Sequence, residues 1–129
     1  MSTPVLTTVP TTVLTVDDSR AMRDMLRHSL VSAGFRVLQA EDGLQGLEVL
    51  ATETPDVIVT DINMPRMDGF GFIEAVRRDE SRRAMPVLVL TTEVDVDKKN
   101  RARAAGATGW IVKPFDPVKL VEAIRRVSA

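Results

Sequence analysis

No cysteine occurs in the 129 residues, so disulfides, thiolate metal sites and a cysteine nucleophile are all excluded. No apolar run approaches the length of a membrane span. The first residues lack the basic start and apolar centre of a secretory signal, so a cytoplasmic protein is expected. The formal net charge is only -1, too weak a field to point to nucleic acid or an anionic membrane as the main partner. Glycine-rich phosphate loops are missing too. Gly43, Gly46, Gly69 and Gly71 fit neither a phosphate-loop nor a dinucleotide spacing, so a nucleotide is not the expected phosphoryl donor. What remains is an ordinary globular composition, 44% hydrophobic and 27% charged, of a length that makes one domain with a proper core.

Residues 1–11 are rich in Thr and Pro without an amphipathic period and read as a loose tail. From Thr12 onward, short β-branched runs alternate with helical patterns. Strands are expected at 12–16, 35–40, 57–60, 87–90 and 109–112. Helices follow each, with Met22, Met25, Leu26 and Leu30 forming the inner stripe of the first, and Leu44, Leu47 and Leu50 that of the second. Phe72, Ile73 and Val76 mark the third. The fourth, over roughly 94–105, carries Asp95 and Asp97 at its start and Arg101 and Arg103 near its end, the order that a helix dipole favours. Leu120, Ile124 and Val127 mark the fifth, from about Asp116. This alternation predicts an α/β fold with a five-stranded parallel sheet covered on both sides.

Ligands of such sheets bind beyond the carboxyl ends of the strands. Strand one ends in Asp17-Asp18, the apolar strand Val57-Ile58-Val59-Thr60 in Asp61, strand four in Thr91 and strand five in Lys113. Neighbouring strands lie about 4.8 Å apart, so acids that end adjacent strands share one crevice. They repel unless a cation lies between them. All-oxygen ligands without His or Cys select a hard divalent ion, Mg²⁺ above all. An acid nucleophile, a divalent ion, an ammonium and a hydroxyl suit a phosphoryl group. Asp61, single and from the middle strand, is the better nucleophile, and the adjacent Asp17-Asp18 pair the metal side.

Four stretches carry a family likeness: Val16-Asp17-Asp18-Ser19, Thr60 to Gly69, Leu90-Thr91-Thr92-Glu93, and Gly109 to Phe115. In this order they resemble receiver domains of two-component response regulators, above all single-domain chemotaxis regulators of the CheY type. The resemblance covers the chain from Thr12 on, as a receiver domain at 12–129. It implies a doubly wound, flavodoxin-like sheet of order 2-1-3-4-5. It also makes Asp61 the phospho-accepting residue, Asp18 a direct ligand of Mg²⁺, Asp17 a direct or water-mediated one, and the Asn63 carbonyl the remaining protein ligand. Thr91 and Lys113 contact phosphoryl oxygens, and Lys113-Pro114 is a cis peptide. Trp110 stands at a switch position where the family usually has Tyr or Phe, while Asn63 and Glu93 flank the water that removes the phosphoryl group.

The implied function is a switch that takes its phosphoryl group from a CheA-like histidine kinase, catalysing its own phosphorylation and dephosphorylation. With no effector domain after Ala129, output is expected through protein binding by helix four, strand five and helix five, as a monomer. The implied target is a flagellar motor switch protein, with a phosphatase as a possible further partner. Rival readings are a phosphate sink or non-chemotactic receiver, a binding module with vestigial acids, and a phosphatase with an aspartyl intermediate. The last wants its two first-strand acids one residue apart, whereas Asp17 and Asp18 are adjacent. His28 reads as a surface residue, and Met22 and Met25 as core. Lys98, Lys99, Arg101, Arg103, Lys119, Arg125 and Arg126 form either one basic partner face or two solvated helices.

Overall fold

The computed structural model describes residues 9–129. The expected tail therefore lies outside the described residues up to residue 8. Thr11 is already tied to the fold, its carbonyl accepting from the Arg36 N–H at 2.9 Å. In chain order the elements are β1 (Thr12–Val16), α1 (Arg20–Ser32), β2 (Arg36–Ala40), α2 (Gly43–Thr52), β3 (Val57–Thr60), α3 (Gly69–Arg78), a 3₁₀ turn (Glu80–Arg82), β4 (Val87–Thr91), α4 (Val96–Ala105), β5 (Gly109–Val112) and α5 (Pro117–Ser128).

All pairings are parallel, in the order β2-β1-β3-β4-β5. Strand alternation sends side chains to two separate cores. Leu14, Val16, Ile58, Val87 and Val89 meet Leu50 of α2, Phe72, Ile73 and Val76 of α3, and Ala102 of α4. On the opposite face, Val13, Val57, Val59, Leu88 and Leu90 meet Leu26 and Leu30 of α1 and Leu120 and Ile124 of α5. Each fully buried Leu, Ile or Phe contributes about 1.5–3 kcal/mol. The central strands β1, β3 and β4 are buried along their whole length, which fixes where their last residues emerge.

Helix starts follow from side-chain caps. Ser19, Asp42, Asp68, Asp95 and Asp116 each accept a backbone N–H at the start of α1 to α5 in turn. Asp95 is thus the cap of α4, which begins two residues later than its charge pattern predicts. Gly34 and Gly106, with φ of +94° and +113°, close α1 and α4. The 3₁₀ turn was not predicted.

One expectation is corrected. Met25 is 55% exposed, because it lies one step off the stripe formed by Met22, Leu26 and Leu30. Of the basic residues of α4 and α5, three are engaged within the fold. Arg101 lies 4.1 Å over the Phe70 ring toward α3, Arg125 stacks on Phe35 and donates to the Ala33 carbonyl, and Lys98 pairs with Glu93. Arg77 ties α3 to the C-cap of α4 and to the turn before β4. Its guanidinium donates to the carbonyls of Gly106 at 3.0 and 2.8 Å, Arg82 at 3.0 Å and Met85 at 2.6 Å, and burial pushes its pKa down.

Candidate functional site

The sheet's own hydrogen bonds assemble the site. Val16 is paired with Thr60, and one step further the Asp61 N–H donates to the Val16 carbonyl at 2.9 Å. The Asp17 N–H donates to the Ala40 carbonyl at 3.1 Å. On the other side Thr91 is paired with Val112, and the Lys113 N–H donates to the Thr91 carbonyl at 2.8 Å. Asp17, Asp61 and Lys113 thus leave the sheet at the same edge.

There the Lys113 Nζ sits between two acids, 2.7 Å from Asp17 Oδ2 and 3.0 Å from Asp61 Oδ2. All three side chains are largely shielded, with 9% of Lys113, 3% of Asp17 and 12% of Asp61 exposed. Burial works against the ammonium, but the Asp17 and Asp61 carboxylates outweigh it and hold the Lys113 pKa above the ordinary lysine value. The remaining carboxylate oxygens are also fixed. Asp17 Oδ1 accepts from the Ser19 N–H at 2.9 Å, and Asp61 Oδ1 from the Ile62 N–H at 2.6 Å. Asp18, next in sequence, is exposed.

One oxygen each from Asp17, Asp18 and Asp61 lie within 4.8 Å of one another. A single lysine cannot neutralise three carboxylates, and a donor set made only of oxygens fits a hard divalent cation. Asn63 is exposed in the loop after Asp61, close enough in sequence for its carbonyl to join such a set.

Thr91 is fully buried, and its Oγ1 accepts from the Glu93 N–H at 3.3 Å. Glu93 is drawn toward α4. Its carboxylate meets Lys98 Nζ at 2.9 Å and accepts the Asp95 N–H at 3.1 Å, which together hold its pKa below the usual range. Trp110 is half-buried, packed on the α2–α3–α4 core, and lines a groove with Lys99, Ala102 and Arg103 of α4. A second groove on the other side of β5 is lined by Ile111, Val112, Phe115 and Lys119. The Lys113-Pro114 bond is cis, as the resemblance implies. His28 is exposed on α1, well away from these residues in the fold.

Gly69 explains why the β3–α3 loop lies so close. A Cβ there would press on the Asp61 carbonyl oxygen and lie 2.8 Å from Ile62 Cα. The reading of the sequence missed the pair formed by Arg66 and Asp42, whose Nε and Oδ2 are 2.7 Å apart. Asp42 followed by Gln45 three residues on is a capping pattern, but nothing in it marks a partner in another loop.

Among the described residues no helix is long and apolar enough to cross a membrane. The family model for the response regulator receiver domain matches residues 13–125. The chemotaxis protein CheY of Pseudomonas aeruginosa is 39% identical over 116 residues, covering 89% of this chain and 94% of that protein. The response regulator MprA of a Mycobacterium species is 37% identical over 117 residues, but the chain spans only 50% of its length. The solved chemotaxis response regulator CheY4 of Vibrio cholerae superposes with a TM-score of 0.87 at 44% identity, covering 92% of this chain and 99% of that one. The receiver domain of a Pseudomonas aeruginosa sensor histidine kinase, solved with magnesium coordinated in its active-site cleft, gives a TM-score of 0.86 at 25% identity and covers 93% of this chain and 98% of that one. The family match runs from β1 into α5, and the chain belongs to the response regulator receiver domain family.

Proposed function

We propose that this protein is a phosphorylation-controlled switch in which Asp61 takes a phosphoryl group from a phosphohistidine of a CheA-like histidine kinase. The observation that carries the reading is the Lys113 ammonium lodged between Asp17 and Asp61 where β1, β3 and β5 end. An Asp61 oxygen forms the new bond to phosphorus, the phosphorus–nitrogen bond breaks, and the imidazole leaves with that electron pair. Mg²⁺ held by Asp17, Asp18, Asp61 and the Asn63 carbonyl would supply charge neutralisation for the transfer. Lys113 is already beside the acceptor, and the Thr91 hydroxyl ends the next strand. In the acyl phosphate both contact phosphoryl oxygens, which favours a conformation that is minor before transfer. Asn63 and Glu93 then set how readily water reaches the phosphorus.

Output runs through the two grooves that flank β5, the edge strand bearing Trp110. Exposed Val112 and Val118 add apolar area to that face. The similarity to CheY proteins over nearly their full length supports a cytoplasmic chemotaxis role with a flagellar motor switch protein as target. The second reading is a phosphate sink, which uses the same site without that partner.

Beryllofluoride with Mg²⁺ is expected to change Trp110 fluorescence and to raise affinity for a motor switch protein. Asp61→Asn abolishes both effects. No spectral change in the wild type sinks the switch role of Trp110, phosphate uptake by Asp61→Asn sinks the acceptor, and a spectral change without motor binding favours the sink.

A further inference from the structure

Arg66 is the one non-glycine residue with positive φ among the described residues, at +64°. The Met67 N–H donates to the Pro65 carbonyl at 2.7 Å, so Arg66 sits at the centre of a three-residue turn. Side chains other than glycine disfavour this left-handed region, and such a conformation persists only where its surroundings hold it. Here the surroundings are the start of α2. Arg66 Nε donates to Asp42 Oδ2, and Asp42 is nearly fully buried, with 4% of its side chain exposed. The other oxygen of Asp42 accepts the Gln45 N–H at 2.9 Å, which fixes the orientation of the carboxylate. Beside this pair the Gly43 N–H donates to the Met67 carbonyl at 3.1 Å. At the loop's base the Gly69 N–H donates to the Ile62 carbonyl at 2.8 Å. The loop that carries Asn63 is therefore fastened at both ends.

We infer that Asp42 and Arg66 are positioning residues, a clamp between α2 and the β3–α3 loop that lets an arginine hold a turn suited to glycine and so sets the Asn63 carbonyl against Asp61. Helix capping alone does not account for the pair, because the cap uses Oδ1 and leaves Oδ2 to a residue in another loop. The inference rests on the proposed cation site, and its test separates the two.

Three variants divide the roles. Arg66→Ala keeps the unfavourable turn and loses its support, Arg66→Gly loses the support but no longer requires it, and Asp42→Asn keeps the helix cap and removes the charge. In metal-free protein, Gly43 and Met67 amide exchange is expected to rise in Arg66→Ala and Asp42→Asn. Mg²⁺ titration followed at the Asn63 amide is expected to show about fivefold weaker binding in both, the equivalent of about 1 kcal/mol of left-handed strain. Arg66→Gly is expected within about twofold of wild type, since glycine adopts the turn freely. Urea unfolding of the same proteins supplies the control. Unchanged exchange and Mg²⁺ affinity in Arg66→Ala overturn the inference. So does Arg66→Gly binding as weakly as Arg66→Ala, or Mg²⁺ affinity that merely follows the urea midpoints. If wild type itself binds no Mg²⁺, the functional reading fails, while amide exchange still decides the clamp.

Discussion

Lys113→Met keeps most of the side chain's volume and removes only its charge. In the metal-free protein this leaves Asp17 and Asp61 facing each other, both shielded from water. At an effective dielectric of about 20, each of the two contacts is worth about 5 kcal/mol of gross attraction. Desolvation of three ions offsets much of that. Breaking a buried pair by removing one partner leaves a net cost of about 3–5 kcal/mol. Because 12% of the Asp61 side chain still reaches solvent, the lower end is expected, about 3 kcal/mol in urea unfolding without metal. A divalent cation can take over the compensation. Saturating Mg²⁺ is therefore expected to stabilise Lys113→Met more than wild type, and the variant to bind Mg²⁺ about tenfold more tightly, since about 1.4 kcal/mol of ammonium–cation repulsion is gone. Partner binding in the phosphorylated form should fall regardless, because the contact that distinguishes the two conformations is missing. In wild type the raised Lys113 pKa means that its stabilisation is fully present below the ordinary lysine pKa and is lost only as pH rises through the raised value. If the metal-free variant unfolds within about 1 kcal/mol of wild type and binds Mg²⁺ with unchanged affinity, the ammonium does not compensate the acids and the electrostatic account fails.

Further outcomes concern the loop, the lifetime of the phosphoryl group and acid stability. Gly69→Ala, which drives a methyl into Asp61 and Ile62, is expected to cost about 1–3 kcal/mol and to slow phosphorylation from a small donor; normal phosphorylation would show that the loop can yield. Asn63→Lys is expected to lengthen the phosphorylated lifetime by pairing with the phosphoryl oxygens and excluding water, and Lys98→Ala to shorten it by releasing Glu93 from α4. Loss of phosphate from purified protein without kinase or phosphatase measures both, and wild-type decay in both removes these side chains from the lifetime. The Arg66 hydrogen bond is the largest influence holding the Asp42 carboxyl below its ordinary value of 3.8. Its contribution is therefore complete above that ordinary value and disappears as pH falls through the depressed one. The stability gap between wild type and Asp42→Asn should close below about pH 4; a gap unchanged down to unfolding would contradict the pairing.

Much of this fold is legible in the sequence because β1, β3 and β4 are buried on both faces, which writes itself as short β-branched runs. Gly106 and Lys113-Pro114 bracket the less buried β5. Thr12–Val16 and Gly109–Val112 match the expected strands residue for residue. The strand-end rule then brings Asp17, Asp61 and Lys113 together before any coordinate is known. The helix α4 was legible for another reason: it buries only Ala102, so charge order and Gly106 mark it rather than an apolar stripe. Met25 misled because an apolar residue one step off a stripe looks like part of it in sequence. Asp42 and Arg66 lie on separate loops 24 residues apart, and the link exists only once β1 and β3 are neighbours. The four carbonyl contacts of Arg77 are invisible for the same reason, since backbone acceptors carry no sequence signature.

Those carbonyl contacts mean that the two ends of α4 are held differently. Two bonds to Gly106 anchor its C-terminal end to α3, at the glycine that closes the helix. The opposite end begins with exposed Val94 and Val96 and is tethered to β4 through the Glu93–Lys98 pair. That tether starts two residues beyond Thr91, whose hydroxyl accepts the Glu93 N–H. If phosphorylation shifts Thr91, as the proposed switch requires, the displacement would reach α4 at this tethered end, next to the surface that Lys99, Arg103 and Trp110 share.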